Sequence, residues 1–221
     1  MRLMLFRLTF HENLFYMTRE AGRLYETGRY LHNYALTYAL GLATAAYYQA
    51  GHVPAYEDEL GALNAQGIYV TPARGLDVRY QLVTFKFADS AYRVKMEPTS
   101  RNLPSFGRAK EVAVGSVFEF AVIHAADFRA PRWIRMGLWR SKGQLEVIGQ
   151  AELKPVRGEY MASLPLNPLD INGRLKIYDV ISMPPSSLVD NAIIEGDWLR
   201  AGLDNGETIY LPAGMRYTFP Q

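Results

Sequence analysis

The residues whose types and spacing could do chemistry gather in one run, Arg129-Ala-Pro-Arg-Trp-Ile-Arg-Met-Gly-Leu-Trp-Arg-Ser-Lys-Gly143. Arg129, Arg132, Arg135, Arg140 and Lys142 stand among Trp133 and Trp139, with glycines at 137 and 143. That mixture suits RNA. A guanidinium forks onto phosphate oxygens through charge-assisted hydrogen bonds. An indole offers a flat surface to an unpaired base, worth about 1–3 kcal/mol per stack. Glycine lets the main chain come close to a backbone and leaves its amides free to donate. A second reading stands beside this one, a basic hairpin whose two tryptophans are core residues.

A second basic segment runs from Arg93 to Lys110, including Arg101 and Arg108, and carries Pro98, Pro104 and Gly107. Its turn-forming residues predict a hairpin or long loop over 89–111 that projects from the domain. Such a thumb-like insertion fits two roles equally, folding over a nucleic-acid strand or docking on a neighbouring subunit.

Catalytic constellations are thin. The four histidines, His11, His32, His52 and His124, form no H-E-x-x-H pair, and neither a G-x-S-x-G elbow nor a Walker loop occurs. His11 ends an apolar strand on the side of Arg7 and Thr9, where it could act as a general base on RNA without metal. His124 reads as structural. No catalytic residue, cofactor or metal site is assigned.

Net charge is only +2, but its distribution is uneven. Between Lys86 and Lys142 eleven Lys and Arg face five Asp and Glu, a local +6, and the remainder carries −4. A concentrated cationic zone is the footprint of a polyanion partner. With 221 residues, 49% of them hydrophobic and 13% aromatic, the chain can bury a core. The absence of cysteine excludes disulfides and thiolate metal sites and fits a cytoplasmic protein. Arg7 interrupts the opening apolar residues before a signal-peptide core forms.

The elements that must position these residues follow from periodicity. Met4, Phe6, Leu8 and Phe10 alternate with a side that turns polar after Leu5, predicting a strand with one face on a core and one free for work. The stretch Asn33–Tyr56 has no charged residue and is long enough to cross a bilayer. Its tyrosines, threonines and glycines argue instead for a buried helix over Tyr30–Ala50, ended by Gly51 and Pro54. Further expectations are a short helix over 57–67, strands over 80–87, 112–125, 145–149, 175–181 and 209–211, and a helical turn over 187–192. The order strand, helix, strand, insertion, strand points to an α+β fold with a ferredoxin-like or RRM-like core, whose sheet presents aromatics and cations to single-stranded RNA. The expected organisation is a core over 1–145 and a β-rich C-terminal extension over 146–221 packed on it.

From Asn13 to Leu42 the chain reads NLFYMTREAGRLYETGRYLHNYALTYALGL. This stretch resembles the N-terminal part of the type I-D Cascade subunit of the Cas-five family, also called Csc-one, within the RAMP superfamily. Thr18-Arg-Glu20, Leu24-Tyr-Glu-Thr27 and Leu31-His-Asn-Tyr34 carry the likeness, with the Trp-Ile-Arg-Met-Gly stretch and Met183-Pro-Pro-Ser-Ser-Leu188. The resemblance implies an RRM-like core with a thumb, in a non-catalytic subunit that caps the 5′ handle of the guide crRNA. It implies contact with the Cascade large subunit and a backbone subunit, with target DNA within reach near the flanking motif and no membrane. In the type I-C branch the equivalent subunit cuts precursor crRNA, so an endoribonuclease remains an alternative, as does a protein-only adaptor. With the resemblance, Arg19, Arg23, His32 and Asn33 gain a role in reading or clamping the handle, against an equal reading in which Glu20 and Glu26 pair with the arginines.

Overall fold

Strand β1 (Arg2–Phe10) is apolar on both faces over its first half, and that decides the architecture. Leu3, Leu5, Phe6, Leu8 and Phe10 are all buried, so layers must cover the strand from two sides. The computed structural model describes residues 1–44, 54–86, 106–125 and 127–220. In it β1 is central to a seven-stranded sheet built with β4 (Tyr30–Leu31), β5 (Tyr69–Val70), β6 (Ala73–Asp77), β9 (Val117–His124), β10 (Trp133–Met136) and β11 (Ser141–Glu152). The order is β10-β11-β1-β9-β6-β4, with β5 also on β9 and all pairs antiparallel.

On the even face Phe6 stacks on Phe120 at 5.3 Å and Phe10 meets Phe118 edge-on at 5.7 Å. Helix α1 (Asn33–Ala39) closes this core with Leu36, followed by Leu40. Among the described residues the predicted long helix is realised only over these seven, because Gly41 turns the chain at φ +73°. The part of that prediction over 45–50 lies outside the described residues. Two short helices, α2 (Tyr56–Leu60) and α3 (Ala62–Gln66), realise the one expected over 57–67. No described helix is long and apolar enough to cross a membrane.

On the odd face Leu3, Leu5, Ala121 and Ile123 pack against a C-terminal sheet of β12 (Lys154–Met161), β13 (Arg174–Ile181), β14 (Leu188–Gly202) and β15 (Thr208–Pro212). Strand β14 is its spine, with β12 along one edge and β13 then β15 along the other. Only the far end of the odd face, at Arg7, Thr9 and His11, escapes this cover. The helical turn expected over 187–192 is instead the start of β14. Val189, Ile193 and Ile194 are β-branched, and Leu188 pairs with Ile181 across the sheet. The chain enters this sheet at Lys154, and residue 145 lies inside β11.

A third sheet of β2 (Arg19–Ala21), β3 (Leu24–Glu26), β7 (Tyr80–Lys86) and β8 (Phe106–Val112) has the order β2-β3-β8-β7. Strands β7 and β8 pair from Tyr80↔Val112 to Lys86↔Phe106, so the C-terminal part of the expected loop is sheet. Arg93, Lys95 and Arg101 lie outside the described residues. The predicted strand over 112–125 divides at the turn around Gly115, after which β9 begins. The chain is mostly β-sheet with few helices.

Candidate nucleic-acid interface

Alternation in the β10–β11 hairpin sorts its residues. Ile134 and Met136 enter the core, so Trp133 and Arg135 point out, opposite Gln144 and Lys142. The turn between the strands needs its glycine. Gly137 sits at φ +79°, and a Cβ there would lie 2.6 Å from Leu14 Cδ1 and 2.7 Å from the Phe15 carbonyl. Trp139 leans on Phe15 with ring centroids 5.0 Å apart. Trp133 is 39% and Trp139 51% exposed, which excludes the reading in which both tryptophans are core.

The open end of β1 meets this hairpin. The Lys142 ammonium lies 4.1 Å from the Trp133 ring centroid, and the His11 ring meets the same indole edge-on at 5.2 Å. His11 Nε2 is 3.1 Å from Gln144 Oε1. The Glu12 carboxylate accepts the Lys142 backbone N–H at 2.8 Å and an Arg135 N–H at 3.2 Å, and Arg135 also donates to the Arg140 carbonyl at 3.0 Å. Arg135 is therefore partly neutralised and held in place. Both Arg132 and Arg140 are exposed, and among the described residues no carboxylate pairs with either. Deeper along the same face the charges cancel, since Arg7 stands opposite Glu119 in register and Arg74 lies 3.9 Å from it. Burial raises the Glu119 pKa, with Arg74 acting against it.

The third sheet carries the other cations. Arg19, Arg23 and Arg108 are exposed, and the Arg108 N–H donates to the Arg23 carbonyl at 2.8 Å. Lys110 stands 4.3 Å over the Tyr80 ring and 3.7 Å from Glu26. Glu26 thus pairs with Lys110, and no ion pair joins Glu20 or Glu26 to Arg19 or Arg23 among the described residues. The segment 12–18 stitches this sheet to the hairpin. Leu14 exchanges both backbone hydrogen bonds with Val112, and the Phe15 carbonyl accepts from the Leu138 N–H at 2.8 Å. Thr18 N–H donates to the Glu26 carbonyl at 2.9 Å. Two basic elements far apart in sequence therefore share one short connector.

With this geometry in place, comparison with known families is decisive. The model of the type I-D CRISPR-associated protein Cas5/Csc1 matches residues 1–220. The chain belongs to that family. A chain from the cryo-EM structure of the type III-B Cmr-β complex bound to cognate target RNA and AMPPnP is a loose structural likeness. It is 10% identical, with a TM-score of 0.44, covering 88% of this chain and 86% of that one, and carries no argument. No curated protein matches significantly. Membership makes this Cas5/Csc1 chain a subunit of a CRISPR effector complex.

Two of the residues expected to clamp a handle are not on the surface of this Cas5/Csc1 fold. Asn33 is wholly buried; its amide donates to Asp170 Oδ2 at 2.8 Å and its carbonyl oxygen faces Asn167. His32 is 3% exposed, caps α1 by accepting the Tyr34 N–H on Nδ1 at 3.2 Å, and has Nε2 3.0 Å from Ser186 Oγ. Burial lowers the His32 pKa to about 4, so the ring is neutral at pH 7. Both side chains are structural polar links, because the α1 N-terminus packs against Asn167 and Asp170 through Asn33 and against Ser186 through His32. Conversely, residue type alone does not point to Gln144 or Tyr80 in the sequence. The only signal for Gln144 was its place two residues beyond Lys142 on one side of a strand. Among the described residues no group of three or more His, Asp and Glu is placed to hold a metal.

Proposed function

We propose that this chain holds the 5′ handle of a guide crRNA within a type I-D Cascade, as a non-catalytic cap. One observation carries this reading. Trp133, Lys142, Arg135 and His11 lie side by side on the uncovered end of a sheet face, flanked by Arg132 and Arg140, which pair with no carboxylate among the described residues. An exposed indole bracketed by cations is what an unpaired nucleotide needs, a stacking platform with phosphate contacts beside it. Arg19, Arg23, Arg108 and Lys110 extend the track across the third sheet, with Arg101 in the segment between β7 and β8. The order β11-β1-β9-β6, crossed by α1, supports a ferredoxin-like core, with β7 and β8 as the base of the thumb. The C-terminal sheet serves as the β-rich extension, and the large subunit and a backbone subunit are the proposed neighbours.

Binding of fluorescent handle RNA across a salt series tests the reading. Neutralising about six phosphates on a single strand gives a log–log slope near −4. A flat response contradicts it.

A second reading is favoured by His11 alone, which stands on this face within reach of a bound strand. As a general base it would make the chain a metal-independent endoribonuclease. Cleavage of repeat RNA in EDTA that disappears on His11→Ala would replace the first reading with this one.

A further inference from the structure

A groove of about 660 Å³ lies between α1, α2 and the turn of the β10–β11 hairpin. Tyr34, Tyr38, Tyr56, Met17, Met136 and Met183 line it, aromatic and thioether surfaces of the kind that re-pack around an inserted side chain. Much of its polar capacity is already spent. Tyr16 donates its hydroxyl to the Tyr30 carbonyl, Tyr34 to the Thr218 carbonyl, and Tyr38 to Glu59. Both His32 nitrogens have intrachain partners. A nucleobase placed here would bring hydrogen-bonding edges into a site with little left to meet them, and each unmet group costs about 1–3 kcal/mol.

Charge points the same way. Among the described residues the lining contains Glu59 and no Lys or Arg, and the exposed Glu57 and Asp58 occupy the same helical turn as Tyr56 and Glu59. Phosphates are repelled from such a rim, whereas a lysine or arginine is drawn to it.

We propose that this groove seats a large apolar anchor side chain of a protein neighbour in the assembly, presented beside Lys or Arg residues. It is the concave half of an anchor-in-pocket contact, in which one well-packed side chain supplies much of the binding energy. The proposal goes beyond the RNA-holding role and uses none of the arginines or tryptophans assigned to RNA.

Ala35 lines the groove and is exposed on α1, so it can be replaced without opening the core. With p-benzoylphenylalanine at position 35, the assembly is purified with its co-expressed subunits and guide RNA, then irradiated. The expected product is a cross-link to a large apolar residue of another protein subunit with Lys or Arg close by in sequence. A cross-link to RNA, one to a site without basic neighbours, or none overturns the proposal. In a second arm Ala35→Trp fills the groove. Capture of the cross-linked subunit should weaken roughly tenfold or more. The affinity of the full chain for handle RNA should not change, which separates this proposal from the RNA reading. Undiminished capture, or a loss of RNA affinity, overturns it.

Discussion

Lys142 places its ammonium 4.1 Å from the centre of the partly exposed Trp133 ring. The contact orients the ring and puts a positive charge beside it, so stacking and charge neutralisation are available to one nucleotide together. Trp133→Ala should weaken binding of handle RNA by about 1–3 kcal/mol, roughly five- to 150-fold, and leave the slope against salt unchanged. Anisotropy titrations at several salt concentrations read both quantities. A changed slope would mean that Trp133 acts through charge placement alone.

Arg132 and Arg140 carry charges without a described carboxylate partner. Each replaced by Ala should flatten the log–log salt slope by about 0.7. The same titration on Arg157→Ala supplies the contrast, because Arg157 is already 3.5 Å from Asp197 on the C-terminal sheet.

Glu12 holds Arg135 at 3.2 Å and competes with phosphate for it. Glu12→Gln keeps an oxygen for the Lys142 N–H and removes the charge. Exposed pairs of this kind are worth about 0.2–1 kcal/mol, so handle affinity should rise by about 1.4- to fivefold at low salt. An affinity that falls would show that the ion pair presents Arg135 in the binding geometry.

Gly137 occupies left-handed backbone at φ +79° with the Leu14 side chain and Phe15 carbonyl in the path of any Cβ. Gly137→Ala should cost at least about 2 kcal/mol in urea denaturation, from backbone strain together with displacement of the hairpin turn. A smaller loss would mean that the turn shifts freely.

His32 supplies a pH signature. Its folded pKa of about 4 lies below the ordinary 6.5, so the folded state resists protonation and stability falls as pH drops from about 6.5 to 4. Asp170 acts in the opposite sense. Burial raises its pKa to about 6 against the hydrogen bonds of Thr218, Tyr69 and Asn33, so the folded state takes up a proton as pH falls from about 6 to 4 and gains stability. His32→Asn can still cap α1, because asparagine is a favoured cap. Its cost at pH 7 should shrink steadily toward pH 4, by up to about 3 kcal/mol. A pH-independent difference would assign His32 a pKa near its ordinary value.

The hairpin was legible because its outward positions alternate with apolar ones, so Trp133, Arg135 and Lys142 could be placed together from spacing. The β1 alternation was only half read. Leu3 and Leu5 face a second core made by residues more than 150 positions away, such as Trp198 and Leu211, and local periodicity carries no trace of that. The same long-range packing hid the burial of His32 and Asn33, whose partners Ser186, Asn167 and Asp170 lie far along the chain. The long uncharged stretch after Tyr30 suggested a long helix, but Gly41 takes a left-handed turn that composition alone does not announce. The groove between the helices and the hairpin turn had no sequence signal, since tyrosines and methionines at those positions read as ordinary core.

The most direct measurement is the RNA content of the purified type I-D assembly when Arg132, Arg135 and Arg140 are all changed to Glu. Guide RNA loading should fall sharply while the melting temperature of the isolated chain stays near that of the unaltered protein, since all three side chains are exposed and the Arg135–Glu12 pair that is lost is a surface pair of small worth. An assembly that keeps its full complement of guide RNA would contradict the claim that this face holds the handle.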